Sequence, residues 1–175
     1  MSVLPILLQG EPVLRQVAAP VGEITDTIRQ LAADMTDTMY AAPGRGLAAP
    51  QVGHALRLFV IDAYWKDGVA RAPRVMIDPE ILWRSDDKAT REEGCLSIPD
   101  LPVAVTRPAT IAIAWTDLDG RRRQERVTGI EAVCVQHEQD HLDGILITDR
   151  LDPAARYRKA EALAKLTGGS WTPVA

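Results

Sequence analysis

His137-Glu138-Gln139-Asp140-His141 reads His-Glu-x-x-His, and the rest of the chain must be arranged around what that spacing does. On an α-helix, residues four apart share a face, so both imidazoles can grip one metal ion. Glu138, next to the first of them, is then placed as general base to a metal-bound water. The flanking residues write a helix around the motif. Thr128-Gly129-Ile130-Glu131 has the form of a capping box, with Thr128 at the N-cap and Glu131 at N3. Ile130, Val133 and Cys134 extend the face that carries His137 and His141, and Gly144 can end the helix. Two histidines buried on a core face need partners, and a metal satisfies both.

Two ligands leave a tetrahedral site incomplete, and spacing weighs the candidates for the third. The extended form His-Glu-x-x-His-x-x-Gly-x-x-His is followed as far as Gly144, but Ile147 stands where the last histidine belongs, and its carbon side chain cannot ligate. Glu161, about twenty residues past His141 in a plausible helix, keeps a glutamate-ligated metallopeptidase open. Cys95 sits in Glu93-Gly94-Cys95-Leu96-Ser97-Ile98-Pro99, and a thiolate is a strong ligand for zinc or ferrous iron. Cys134 shares the helical face, but its distance along the axis to His141 is about 10 Å at roughly 1.5 Å per residue. Metal bonds of about 2 Å do not span that gap. Cys134 is therefore expected to line the cavity beside the ion, and Cys95, arriving from another element, is the better third ligand.

Gly44-Arg45-Gly46-Leu47-Ala48-Ala49-Pro50-Gln51 adds chemistry from elsewhere. Small residues let a backbone approach a ligand closely, and the Gln51 amide can donate to a developing oxyanion. Taken alone, the stretch reads more simply as a tight loop with Gln51 solvated.

In order along the chain, Gly44-x-Gly46-Leu47-Ala48-Ala49-Pro50-Gln51, Glu93-Gly94-Cys95-Leu96-Ser97 and Gln136-His137-Glu138-x-x-His141 resemble the three signatures of the peptide deformylase family. The likeness reaches back to residues 6–21, with Pro12-Val13-Leu14-Arg15 and Ala19-Pro20-Val21, and runs from about residue 4 to the early 160s. The resemblance implies that Cys95, His137 and His141 bind one divalent metal ion, Fe2+ in the cell and often Zn2+, Ni2+ or Co2+ in purified protein. It implies Glu138 as general base and acid, with Gln51 and the Leu96 N–H stabilising the oxyanion. It implies that Gly44, Gly46, Glu93 and Gly94 border the substrate chain, and that Ile130, Val133 and Cys134 line the pocket for its first side chain. The implied reaction is attack of a metal-bound water on the formyl carbon of N-formylmethionyl peptides, the starts of nascent polypeptides, with release of formate. Arg45 departs from the family pattern, which has a small aliphatic residue there. It is expected to point to solvent, with a contact to an acidic substrate as the alternative. A deformylase-like protein of altered substrate range therefore stays open, beside the metallopeptidase and a catalytically silent peptide-binding homologue.

Composition bounds these readings. At 175 residues with 46% hydrophobic residues, the chain suits one globular catalytic domain over residues 1–168, followed by a flexible tail at 169–175. A single Phe makes the core aliphatic. The net charge of −4, without a long basic run, excludes general nucleic-acid binding. Two cysteines that are not closely spaced, one of them committed to a metal, favour a reducing, cytoplasmic location over a disulfide scaffold. No signal peptide and no membrane span are read.

The coarse organisation is α+β: antiparallel or mixed β-sheets packed around a central metal-binding helix, with an amino-terminal and a carboxy-terminal helix. Ile24, Ile28, Leu31, Met35 and Met39 fall at helical spacing, which predicts a helix over residues 25–41 and a methionine stripe in its core face. Residues 56–63 and 75–83 read as strands, and 110–117 with 121–127 flank Asp119-Gly120, a hairpin signal. Asp152-Pro153 opens a last helix over about 153–166, ended by Gly168-Gly169. That helix carries several Arg and Lys residues. Family members can dock to the ribosome through such a helix, whereas a solvated face is the simpler reading.

Overall fold

The computed structural model describes residues 2–173 of the chain. Strand β1 (Ile6–Leu7) leads to helix α1 (Asp26–Ala41), which begins where Thr25 Oγ accepts the Ile28 N–H. Leu31, Met35 and Met39 on its inner face are buried, so the methionine stripe is core, as its spacing predicts. Strands β2 (Gly46–Ala48), β3 (Leu58–Ile61), β4 (Arg74–Arg84), β7 (Thr110–Thr116) and β8 (Arg122–Thr128) form one antiparallel sheet in that order. Strands β5 (Lys88–Cys95) and β6 (Ile98–Pro108) form a separate hairpin. Between β7 and β8 the expected Asp-Gly turn forms. Gly120 takes φ +78°, and the Asp117 carboxylate accepts the amides of Asp119 and Arg121. Arg121, Arg123 and Glu125 are exposed along β8.

Helix α2 (Gly129–Leu142) carries the His-Glu-x-x-His motif and packs against β2, β3, β6, β7 and β8. Between residues 132 and 142 every residue is buried except His137, which keeps partial exposure. A helix enclosed this fully must partner its polar side chains inside the protein. Its start corrects one expectation. Thr128 makes no side-chain cap, because it is still paired with Thr110 in the β8 ladder, and Gly129 turns the corner at φ +59°. Glu131 pairs with Arg74 instead of closing a capping box. At the other end Gly144 takes φ +72°, as a helix stop requires.

The carboxy-terminal helix also departs from its expected form. It divides into α3 (Pro153–Arg158), capped by the Asp152 side chain, and α4 (Ala160–Ala164), with a break at Lys159. The break directs Leu163 and Leu166 onto the cluster of Leu14, Ile98 and Val103. The expected flexible tail at 169–175 starts as a strand. β9 (Ser170–Trp171) pairs with β1, and Gly168 and Gly169 bond to residues 8–11. The last two residues of that tail lie outside the described residues. No helix among the described residues is long and apolar enough to cross a membrane.

The single Phe, Phe59, is fully buried where the main sheet meets α2. Phe59→Ala is expected to lower the unfolding free energy by about 3–5 kcal/mol in urea titration. A loss below about 1 kcal/mol would contradict this placement of the core.

Candidate active site

The buried face of α2 and the end of β5 meet at one point. Cys95 Sγ lies 3.3 Å from His141 Nε2. Ligand atoms of Cys95, His137 and His141 all lie within 4.8 Å of one another. At ordinary bond lengths, one sulfur and two nitrogens on a tetrahedral ion stand roughly 3.3–3.6 Å apart. The observed spacing and the donor types therefore fit a divalent metal. The charges fit too. Burial opposes charge on the His137 ring, but Cys95, Glu93 and Glu138 outweigh it and hold its pKa well above the ordinary value. The pocket thus attracts positive charge. Burial and the neighbouring His137 hold His141 well below the ordinary value, so that ring stays neutral, the form that ligates.

A buried ion-pair network aims the first imidazole. His137 Nδ1 lies 3.0 Å from Glu93 Oε2, which leaves Nε2 to face Cys95. Arg107 holds Glu93 with two hydrogen bonds, 2.6 Å from Nε and 2.9 Å from Nη2, and donates a third to Asp140 on α2 at 2.8 Å. Burial raises the Glu93 carboxyl, but His137 and Arg107 bring it down to about 2, so it is a carboxylate here. Arg150 closes the far side of Asp140 at 2.6 Å. Neither Arg107 nor Asp140 was singled out from the sequence, although a signal for Arg107 exists. Leu101, Val103, Val105 and Arg107 alternate along β6 on its buried face, and an arginine in that series needs carboxylate partners.

In front of the trio lies a cavity of about 710 Å³. Gly44, Arg45, Gly46, Glu93, Gly94, Ile130, Val133 and Cys134, the residues expected beside the substrate, all line it, as do Gln51, Leu96 and Glu138. The Glu93 carboxylate is nevertheless committed to Arg107 and His137. Glu138 is 4% exposed, and its Oε2 has no hydrogen-bond partner. Burial, opposed by His137, pushes its carboxyl up to about 7. Gly46 makes room for it, because a Cβ there would stand 2.2 Å from Glu138 Oε1. Gln51 is buried, not solvated. Its Oε1 accepts the Ala48 N–H at 2.8 Å, which turns its NH₂ toward Ser97 Oγ at 3.1 Å and Cys95 Sγ at 3.7 Å.

Two further expectations change. Arg45 does not point freely to solvent. Its guanidinium bonds both Asp67 oxygens, at 2.8 and 3.0 Å, and the Ala63 carbonyl, so its head is neutralised at the cavity rim. Glu161, the alternative third ligand, lies on α4 with its side chain 90% exposed and pairs with Lys165. Glu161 therefore does not reach the two histidines, and Cys95 does.

A family model described as polypeptide deformylase matches residues 3–157. A relative from Brucella suis biovar 1 (strain 1330), named peptide deformylase, is 46% identical over 166 residues, 95% of this chain and 94% of the relative. A second, from Phenylobacterium zucineum (strain HLK1) and of the same name, is 43% identical over 95% of this chain and 96% of its own length. Among solved structures, a peptide deformylase from Legionella pneumophila matches with a TM-score of 0.86 at 37% identity, covering 94% of this chain and 95% of that one. The peptide deformylase from Synechococcus elongatus, solved in complex with actinonin, matches at 0.83 and 40% identity over 91% of this chain and 90% of that one.

Because Glu93 aims His137, Glu93→Gln is expected to weaken zinc or cobalt binding by about 10- to 100-fold, measured by competition with a chromophoric chelator. Unchanged affinity would mean that the network does not orient the ligand.

Proposed function

The chain belongs to the polypeptide deformylase family, and from that premise we propose that it removes the formyl group from N-formylmethionyl peptides, releasing formate and a free amino terminus. The observation that carries this reading is the meeting of Cys95, His137 and His141 behind a cavity whose buried carboxylate, Glu138, has an unpartnered oxygen. Those three residues would hold one divalent ion, with Fe2+ in the cell, and when bound it supplies Lewis acidity that lowers the pKa of water and polarises a carbonyl.

The protein groups do the rest. Glu138, with its carboxyl pushed up to about 7, is matched to taking a proton from the attacking water and returning it to the leaving amine. The second Gln51 N–H makes only a long contact to Cys95 and would be available to the oxyanion, with the Leu96 N–H as the second donor. One such donor is worth about 3–4 kcal/mol in the transition state. Ile130, Val133 and Cys134 offer an apolar wall to a methionine side chain, and the stem of Arg45 can extend that wall while Asp67 holds its charged head. Among the described residues, strand β2 is at the edge of the main sheet and β5 pairs with β6 alone. The loop 43–45 leading into β2 and residues 91–94 of β5 line opposite parts of the cavity, and an extended peptide can lie along the open edge of β5. The work is cytoplasmic, on chains leaving synthesis.

Protein purified without oxygen is expected to release formate from formyl-Met-Ala-Ser. Glu138→Gln should keep its metal and lose about 10²-fold or more in kcat. Cys95→Ala should lose both metal and activity, while Glu161→Ala keeps both. Metal-loaded protein that releases no formate would overturn the assignment.

A further inference from the structure

Strands β5 and β6 are joined by the tightest possible link. Cys95 pairs with Ile98, so Leu96 and Ser97 alone make the turn. One end of that turn is the candidate sulfur ligand, and the Leu96 N–H is the candidate oxyanion donor. Neither turn residue has a positive φ. In such turns the central peptide can flip, exchanging a type I for a type II geometry, and the flipped form needs positive φ at its second residue, here Ser97. Whatever grips the Leu96 carbonyl decides which way that peptide faces.

The grip comes from the far end of the chain. The Trp171 indole Nε1–H donates to the Leu96 carbonyl at 3.0 Å. Ser97 is held from two more sides, its hydroxyl by the Gln51 amide at 3.1 Å and its carbonyl by the Gln9 N–H at 2.8 Å. The Leu96 side chain faces Gly44, where a Cβ would stand 2.9 Å from Leu96 Cδ1. Trp171 itself is fixed by the β1–β9 ladder opposite Ile6 and by packing in the α1 cluster. The turn's side chain and hydroxyl are thus held by Gly44 and Gln51, which line the cavity, and the Ser97 carbonyl by Gln9. Among these contacts of the described residues, the Leu96 carbonyl alone is held by the carboxy-terminal strand.

We propose that Trp171 is a positioning residue for the reaction: its indole N–H anchors the Leu96 carbonyl, and so restrains the backbone of the residue whose own N–H, on the peptide shared with Cys95, is the candidate oxyanion donor. The proposal rests on the deformylase reading for its kinetic consequence, and on the turn geometry alone for its structural one.

Trp171→Phe keeps an aromatic ring in the cluster and removes only the donor. It is expected to lower kcat on formyl-Met-Ala-Ser about three- to tenfold, the size of one lost hydrogen bond, with KM and bound metal unchanged. Amide hydrogen exchange at Ile98, which pairs with Cys95 across the turn, should quicken. A chain ended after Gly169, which lacks the indole altogether, should show the same split between kcat and KM. Ile6→Val, which loosens the packing opposite Trp171 but keeps the hydrogen bond, should lower Tm and leave kcat unchanged. A Trp171→Phe protein with wild-type kcat and exchange would overturn the proposal. So would an equal loss of kcat in Ile6→Val, which would mean general loosening. A wild-type chain that releases no formate would sink the functional reading instead, and the exchange measurement would then decide alone whether Trp171 holds the turn.

Discussion

Arg107, 4% exposed, binds Glu93 from its own hairpin and Asp140 from α2, and this buried contact ties the two halves of the site together. Taking a guanidinium out of water is costly unless good geometry and further hydrogen bonds repay it. Here both carboxylates are placed to do so, and each has a second task. Glu93 orients His137, and Asp140 receives Arg150 from beyond the helix. Beside this contact, the β5–β6 hairpin meets α2 through apolar packing and through the Glu93–His137, Cys95–His141 and Pro108–Gln136 contacts. Arg107 thus adds two buried ion pairs to a docking in which His137 and His141 also take polar partners from the hairpin.

The site's chemistry follows from how unevenly its polar groups are satisfied. Gln51 is fixed at its oxygen by Ala48 and at its nitrogen by Ser97, so its amide is preorganised. Glu138 is the opposite case, buried and left with an unpartnered oxygen. Burial that raises a carboxyl toward neutrality makes it a weak acid and a useful base at once. Gly46 permits this, since any side chain there would occupy the space of the Glu138 carboxylate. The glycine-rich stretch thus serves the protein's own carboxylate as much as a ligand.

The elements with a strong period or turn chemistry were legible in the sequence. The α1 stripe, the Asp-Gly hairpin and the i, i+4 histidines each carry a local signal that tertiary packing did not override. The third ligand was not settled by spacing, because Cys95 and Glu161 are both competent donors and only the fold separates the buried one from the exposed one. The capping box failed for a related reason: the β8 ladder kept Thr128 extended. Arg45 looked free because its partner Asp67 belongs to another loop, and the two-residue strand Ser170–Trp171 is too short to show any period. What stayed hidden was in each case a contact between distant parts of the chain.

X-ray absorption at the metal edge of cobalt- or zinc-loaded protein addresses the central claim directly. The account predicts one sulfur and two imidazole nitrogens bound to the ion. A sulfur-free environment, or one in which carboxylate oxygen replaces the thiolate, would contradict it.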